Sequence, residues 1–240
     1  LVRREVVRVV SPGTFTEGGY LDAREQVFLA ALAPSGLPDP SATATPSARA
    51  GAQPDPVVGV ALLDASTGEF QTAEYAGREA LQGLADELVV LRPREILIPA
   101  DRDPDGLVPA DLRQTATVTP VESWHFELER ARRLLLSQFQ VQSLDGYNLE
   151  SHHAATRAAG ALVQYLRDTQ KADLTHIRDL QFRTQVDRLV IDPLTVRHLE
   201  LVESTAGGRT GSLLAELDRT VTPMGGRLLR SWLLRPLVSL

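Results

Sequence analysis

The sequence predicts an α/β domain followed by a shorter helical segment. Two apolar runs, 57–64 and 69–75, flank the turn Ala65-Ser66-Thr67-Gly68, which is the pattern of a β-hairpin. Farther on, three stretches repeat apolar residues at spacings of three and four, as one buried helical face requires. After residue 173, two more helices are each announced by a capping residue followed by proline.

In chain order, residues 6–10 alternate like a strand and are closed by Ser11, Pro12 and Gly13. A second strand is expected over 26–32. Residues 34–56 are mostly Pro, Ala, Ser and Gly. They bury too little apolar surface to offset ordering entropy, so a mobile loop is expected. It reads either as an interdomain linker or as an enlarged hairpin loop between 26–32 and 57–64. The hairpin is favoured because each flanking strand is too short to stand alone. The hairpin 57–64 and 69–75 comes next. A helix over 78–91 then places Leu81, Leu84, Leu88 and Leu91 on one stripe. Residues 94–99 read as a short buried strand and 115–121 as another. From Trp124 the period is helical, with Trp124, Leu128, Ala131, Leu135 and Phe139 on one face and Glu129 within reach of Arg133. A helix over 151–168 aligns Ala154, Ala158, Leu162 and Tyr165. Asp192 caps a helix started by Pro193 and stopped by Gly207. Thr222 caps another, started by Pro223 and ended by Pro236.

The formal charge of the 240-residue chain is −6; residues 1–23 sum to 0, 24–172 to −7 and 173–240 to +1. An acidic middle argues against a free-standing nucleic-acid binder, which needs a basic face along the phosphates. There is no cysteine, hence no disulfide framework and no thiolate ligand or nucleophile. No apolar run reaches membrane-spanning length and no signal-peptide pattern opens the chain, so a cytoplasmic location is expected. The chain starts at Leu1 and stops at Leu240, as expected of a segment cut from a longer polypeptide.

Several motifs could carry chemistry. Asp64 ends an apolar run, where a two-metal nuclease of the ribonuclease H type would keep a metal ligand. The neighbouring acids Glu69, Glu74 and Glu95 form no compact set with it. A turn accounts for the stretch without further assumptions, because Asp and Ser bond locally to the backbone and Gly supplies a positive φ. The same stretch is a poor version of the Asp-Gly-Thr-Gly phosphate loop of actin-like ATPases, with Ala65 at the first glycine. His152 and His153 point about 100° apart on a helix and His176 lies farther on, so surface or capping roles are expected over zinc. Ser-His-Asp catalysis lacks a nucleophile elbow. A Walker A loop is excluded, since the only lysine, Lys171, follows Gln170. Arg227 and Arg230 could touch phosphate, although a solvated helical face is the simpler reading. Arg130, Arg132 and Arg133 form a basic strip, the candidate docking site for an acidic partner, with plain solvation as the alternative.

The run GGRTGSLLAELDRTVTPMGGRLLRSWLLRPL (207–237) closely resembles the MutS family of DNA mismatch-repair proteins. The preceding IDPLTVRHLEL is similar to the family's helix opening, with His198 where Asn is usual. REVVRVVSPGT, LLDASTGEF and YLRDTQKADLTHI belong to the same pattern in the same order. The resemblance covers nearly all of the chain except 34–56, which reads as an insertion in the first hairpin of the connector domain.

The resemblance implies three parts. Residues 1–23 would be the end of the mismatch-binding domain. Residues 24–172 would be the connector, a ribonuclease H-like mixed sheet flanked by helices. Residues 173–240 would begin the helical core, or lever, domain. It also implies that the stretch around Asp64 is a hairpin turn and that the connector is no nuclease. The family's mismatch-reading Phe-x-Glu motif and its ATPase lie outside these residues. Catalytic, cofactor-binding and metal-ligating residues are therefore not expected here, and the segment is not expected to be an enzyme. The intact protein is implied to be a homodimeric DNA-dependent ATPase using ATP and Mg. It would bind mismatched double-stranded DNA, become a sliding clamp and recruit MutL. This segment would be its mechanical middle and part of the MutL docking surface, with 124–139 and 222–235 as the rigid relay elements. The alternatives are a metal-dependent nuclease using Asp64 and an acidic adaptor unrelated to repair.

Overall fold

The computed structural model describes residues 11–14, 24–35, 55–77, 79–170, 174–184 and 189–238. The strand expected over 6–10 and most of the loop expected over 34–56 lie outside the described residues. The chain divides into two compact units. One takes Leu1–Phe15, Val27–Ala85 and Arg92–Arg183; the other takes Thr16–Gln26, Asp86–Leu91 and Thr184–Leu240.

The first unit is built on a mixed sheet. β1 (Phe28–Ser35), β2 (Val57–Asp64) and β3 (Glu69–Ala76) form an antiparallel meander. β1 and β2 pair along their whole length, from Phe28 opposite Asp64 to Ser35 opposite Val57. The hairpin pairing expected of the two strands therefore holds, with the first strand at Phe28–Ser35 rather than 26–32. β4 (Glu95–Pro99) runs parallel to β1, and β5 (Thr117–Val121) runs parallel to β4. A two-residue strand, β6 (Gln181–Phe182), adds parallel to β3. Among the described residues the order is β5-β4-β1-β2-β3-β6, the ribonuclease H-like mixed sheet that the resemblance implied.

Strand alternation assigns the two faces. Leu29, Ala31 and Ala33 of β1, Ala61 and Leu63 of β2 and Leu97 of β4 turn to one face. There they meet the helices α3 (Leu128–Phe139) and α4 (His153–Gln170). α4 is buried over a wide arc, with Ala155, Ala158, Ala159, Ala161, Leu162 and Val163 sealed from solvent. The small alanines let this helix sit low on the sheet. Glu74 of β3 supplies its missing N-terminal partner, accepting the N–H groups of Ala154 at 2.9 Å and Ala155 at 3.1 Å. On the other face, Gly83 of α1 (Ala80–Leu91) lies against the ring of Tyr75.

The helix expected from Trp124 starts later, at Leu128. Residues Ser123–Phe126 form a 3₁₀ turn instead. That turn buries Phe126 and leaves Trp124 38% exposed, so Phe126 anchors the segment where Trp124 was expected to. Ala131 and Leu135 are buried as the stripe required. Arg133 donates from Nε to the Glu129 carbonyl at 3.3 Å, a backbone contact in place of the expected side-chain pair. α2 (Ala110–Thr115), like β6, is too short to show a period in sequence.

The second unit gathers Leu201, Val202, Leu214 and Leu234 into a small core, with Val90, Ile191, Val196, Leu229 and Leu233 against it. α5 (Pro193–His198) begins as expected, with the Asp192 carboxylate accepting Thr195 N–H at 2.9 Å and Pro193 in the first turn. It does not run to Gly207. Glu200 turns to φ 48°, and the carbonyls of Glu200 and Leu201 accept from Leu213 and Leu214 rather than from a continuing helix. Burying Leu201 and Val202 against Leu214 is what stops it. Ser212 then caps α6 (Leu213–Leu217), which the sequence reading missed. α7 (Pro223–Leu234) matches its expectation, with Thr222 Oγ accepting Gly225 N–H at 3.1 Å. Among the described residues no helix is long and apolar enough to cross a membrane.

Candidate functional site

Asp64 ends β2 with its side chain fully buried. Its Oδ1 accepts the N–H of Ser66 at 2.9 Å and the hydroxyl of Ser66 at 2.5 Å. Its carbonyl accepts Thr67 N–H at 3.2 Å and Gly68 N–H at 2.8 Å. Gly68 sits at φ 77°, and a Cβ there would lie 2.6 Å from the His176 carbonyl oxygen. This is a tight turn whose tip is pressed under the 174–177 segment, so both the carboxylate and the glycine are spent on geometry.

The other acids near it have different partners. Asp64 and Glu69 occupy one parity of the meander, Glu74 and Glu95 the other, and strand alternation sends the two pairs to opposite faces. Glu69 accepts from Gln71, and Glu74 caps α4. Among the described residues, no group of three or more His, Asp or Glu is placed to hold a metal ion. The nuclease reading through Asp64 gains no support from this arrangement.

Glu95 is the acid that sequence reasoning undervalued. It is 1% exposed, on the α4 side of the sheet. Oε2 accepts the Ser11 hydroxyl at 2.5 Å and Gly13 N–H at 3.0 Å. Oε1 accepts the hydroxyls of Thr119 and Tyr165, each at 2.8 Å. One carboxylate therefore ties the 11–14 turn, β4, β5 and α4 together. Gly13 approaches so closely that a Cβ would sit 2.8 Å from Glu95 Cβ. Burial pushes the Tyr165 phenol up to about 12, with Glu95 as acceptor and charge adding to it against a lowering by Ser11. A charge inside the apolar run Glu95–Pro99 was the available signal.

The candidate docking residues lie on and beside α3. Arg130 stacks its guanidinium 4.0 Å from the Trp124 ring centre and donates to Gln164 Oε1 at 3.4 Å. Arg132 pairs with Glu150 at 2.6 Å, so its charge is largely matched. Arg133 is exposed. Behind them His125 is buried edge-on to Trp124, its Nε2 3.6 Å from Asp168 and its Nδ1 without a partner. Burial holds the imidazole below its ordinary 6.5; Asp168 and Glu122 oppose this and Arg130 adds to it. In the unfolded chain His125 binds its proton first, so this group's stabilisation is present above pH 6.5 and is lost as pH falls below it. His125→Phe is expected to flatten that acid limb, as read by urea unfolding at pH 5 and pH 7.5.

The remaining candidates stay apart. His152 bonds the Asn148 carbonyl at 2.7 Å and stacks on Phe182, while His153 and His176 are exposed. Arg227 and Arg230 on α7 are half-buried and engaged.

Comparison with known proteins gives these features a context. Residues 48–178 match MutS domain II and residues 194–240 match MutS domain III. The chain is 40% identical over 242 residues to the DNA mismatch repair protein MutS of Symbiobacterium thermophilum. It is 37% identical over 276 residues to that of Roseiflexus castenholzii and 36% identical over 278 residues to that of Roseiflexus sp.. In each case the whole of this chain is covered but only 24–26% of the relative, so it spans about a quarter of their length. A domain II match that takes in β2 to β5, α3 and α4, a domain III match that takes in α6 and α7, and identity along the whole chain to three relatives agree, and the chain belongs to the MutS family.

Proposed function

We propose that this chain is the connector and the opening of the core domain of a mismatch-repair MutS. Residues 1–23 end the mismatch-binding domain, 24–172 form the connector and 173–240 begin the lever. The intact protein binds mismatched double-stranded DNA as a homodimer, uses ATP with Mg, works in the cytoplasm and recruits MutL. This segment performs no chemistry; it couples the mismatch reader to the ATPase and offers part of the MutL surface.

The observation that best supports the reading is the family match on both sides of residue 180, joined to the use made of three acids of the sheet. Asp64, Glu74 and Glu95 are all committed to turns, caps and ties. Such groups build rigid elements, which a relay requires. Trp124 and Arg130 are our choice for MutL contact, since an exposed aromatic stacked with arginine is the usual composition of an interface anchor.

The 240-residue chain is expected to show neither ATP hydrolysis nor preference for a mismatched over a matched duplex, read by phosphate release and gel-shift titration. It is expected to capture MutL, and Arg130→Ala is expected to weaken capture by about tenfold. Robust mismatch preference by this chain would refute the assignment of roles.

A further inference from the structure

The second unit contains a partly buried ionic hub that the relay reading alone does not explain. Asp218 follows α6 with its side chain only 3% exposed. Oδ1 accepts both the N–H of Thr220 at 2.9 Å and its hydroxyl at 2.6 Å. Oδ2 accepts Arg24 Nη1 at 2.7 Å and also Arg209 Nη2. The other arm of Arg24 donates from Nη2 to the Thr220 carbonyl at 2.9 Å. These donors, Thr220 first and the two guanidinium groups after it, hold the Asp218 carboxyl well below the usual carboxylate range. The stem of Arg24 lies across α7 at Gly226, where a Cβ would come 3.2 Å from Arg24 Cγ. Arg24 is thus gripped at both its stem and its fork.

Chain topology makes this grip consequential. Arg24 belongs to the second unit, while Phe28, four positions on, starts β1. β1 is an interior strand of the sheet, with β4 on one side and β2 on the other. Four backbone steps reach at most about 14 Å. A planar guanidinium bonding a carboxylate and a carbonyl together also resists rotation more than a point charge would.

We propose that the Arg24–Asp218 clamp is the anchor of the segment that leads into β1: it fastens Arg24 to the turn between α6 and α7, so that Arg24, and not Arg209, sets how tightly residues 24–28 are held. The proposal deepens the relay reading above, but its test uses neither DNA nor nucleotide, so the two can fail separately.

The test is hydrogen–deuterium exchange on the intact 240-residue chain. Arg24→Gln is expected to speed exchange in peptides covering 24–28 by about tenfold or more, the scale of a lost charge-assisted hydrogen bond, with α4 unchanged. Asp218→Asn is expected to do the same at 24–28, although it lies far along the chain. Arg209→Gln loosens 209–218 but leaves 24–28 at the wild-type rate, because Arg209 bonds the same carboxylate without gripping the β1 lead-in. The proposal is overturned if Arg24→Gln leaves 24–28 unaltered, or if Arg209→Gln loosens 24–28 as much as Arg24→Gln does. Should Asp218→Asn fail to fold, Arg24→Gln decides alone, since Asp218 then keeps Arg209 and Thr220.

Discussion

Gly59→Ala is expected to lower the melting temperature by about 6–12 °C, corresponding to about 3 kcal/mol or more in a chain of this size. Gly59 lies in β2 directly under the first turn of α4. A Cβ there would fall 2.0 Å from the Ala154 carbonyl oxygen, 2.1 Å from its carbon and 2.5 Å from the Ala155 nitrogen. These are backbone atoms, so no rotamer change relieves the clash. The same two residues are pinned by Glu74 through their N–H groups. α4 must therefore lift from the sheet, breaking those bonds and uncovering a face whose Ala155, Ala158 and Leu162 are sealed. Thermal unfolding followed by circular dichroism gives the answer. A shift within about 2 °C would mean that α4 does not seat on Gly59 as described.

Glu95→Ala is expected to cost about 3–5 kcal/mol, because it strands several buried donors at once. Ser11, Gly13, Thr119 and Tyr165 all point at this carboxylate. Glu95→Gln is the gentler variant, at about 1–2 kcal/mol, since its amide oxygen still accepts but its amide nitrogen cannot. The Tyr165 phenol is an independent readout. With the Glu95 charge removed, its ionisation moves down from about 12 towards the ordinary 10.0, visible as tyrosinate absorbance in alkaline titration. The sign of the alkaline limb follows. The unfolded chain loses the phenol proton first, so this contribution is intact below pH 10 and disappears as pH rises towards 12. An unchanged melting point in Glu95→Ala, with Tyr165 still titrating near 12, would remove Glu95 from the centre of this account.

Local pattern was informative wherever burial follows a short period. β2 lies where its apolar run put it, and β3, α1, β4 and α7 agree with expectation to within a residue or two. Asp192 and Thr222 act as the caps their neighbouring prolines implied, because capping is decided within three residues. The turn at Asp64 was readable for the same reason. Departures arose where a distant contact outweighed a local preference. α5 ends at His198 because Leu201 and Val202 are drawn against Leu214. Trp124 is left on the surface because Phe126 fills the core beside α3 and α4.

β2 to β5, most of the longer helices and the turn at Asp64 were written in residue spacing alone, since backbone propensity, alternation and capping act over a few positions. The roles of the buried charges were not. Glu95 meets Ser11 across 84 positions and Arg24 meets Asp218 across 194. No periodicity spans such separations; only folding, which removes these groups from water and so compels them to find partners, selects which acid ties which segments together.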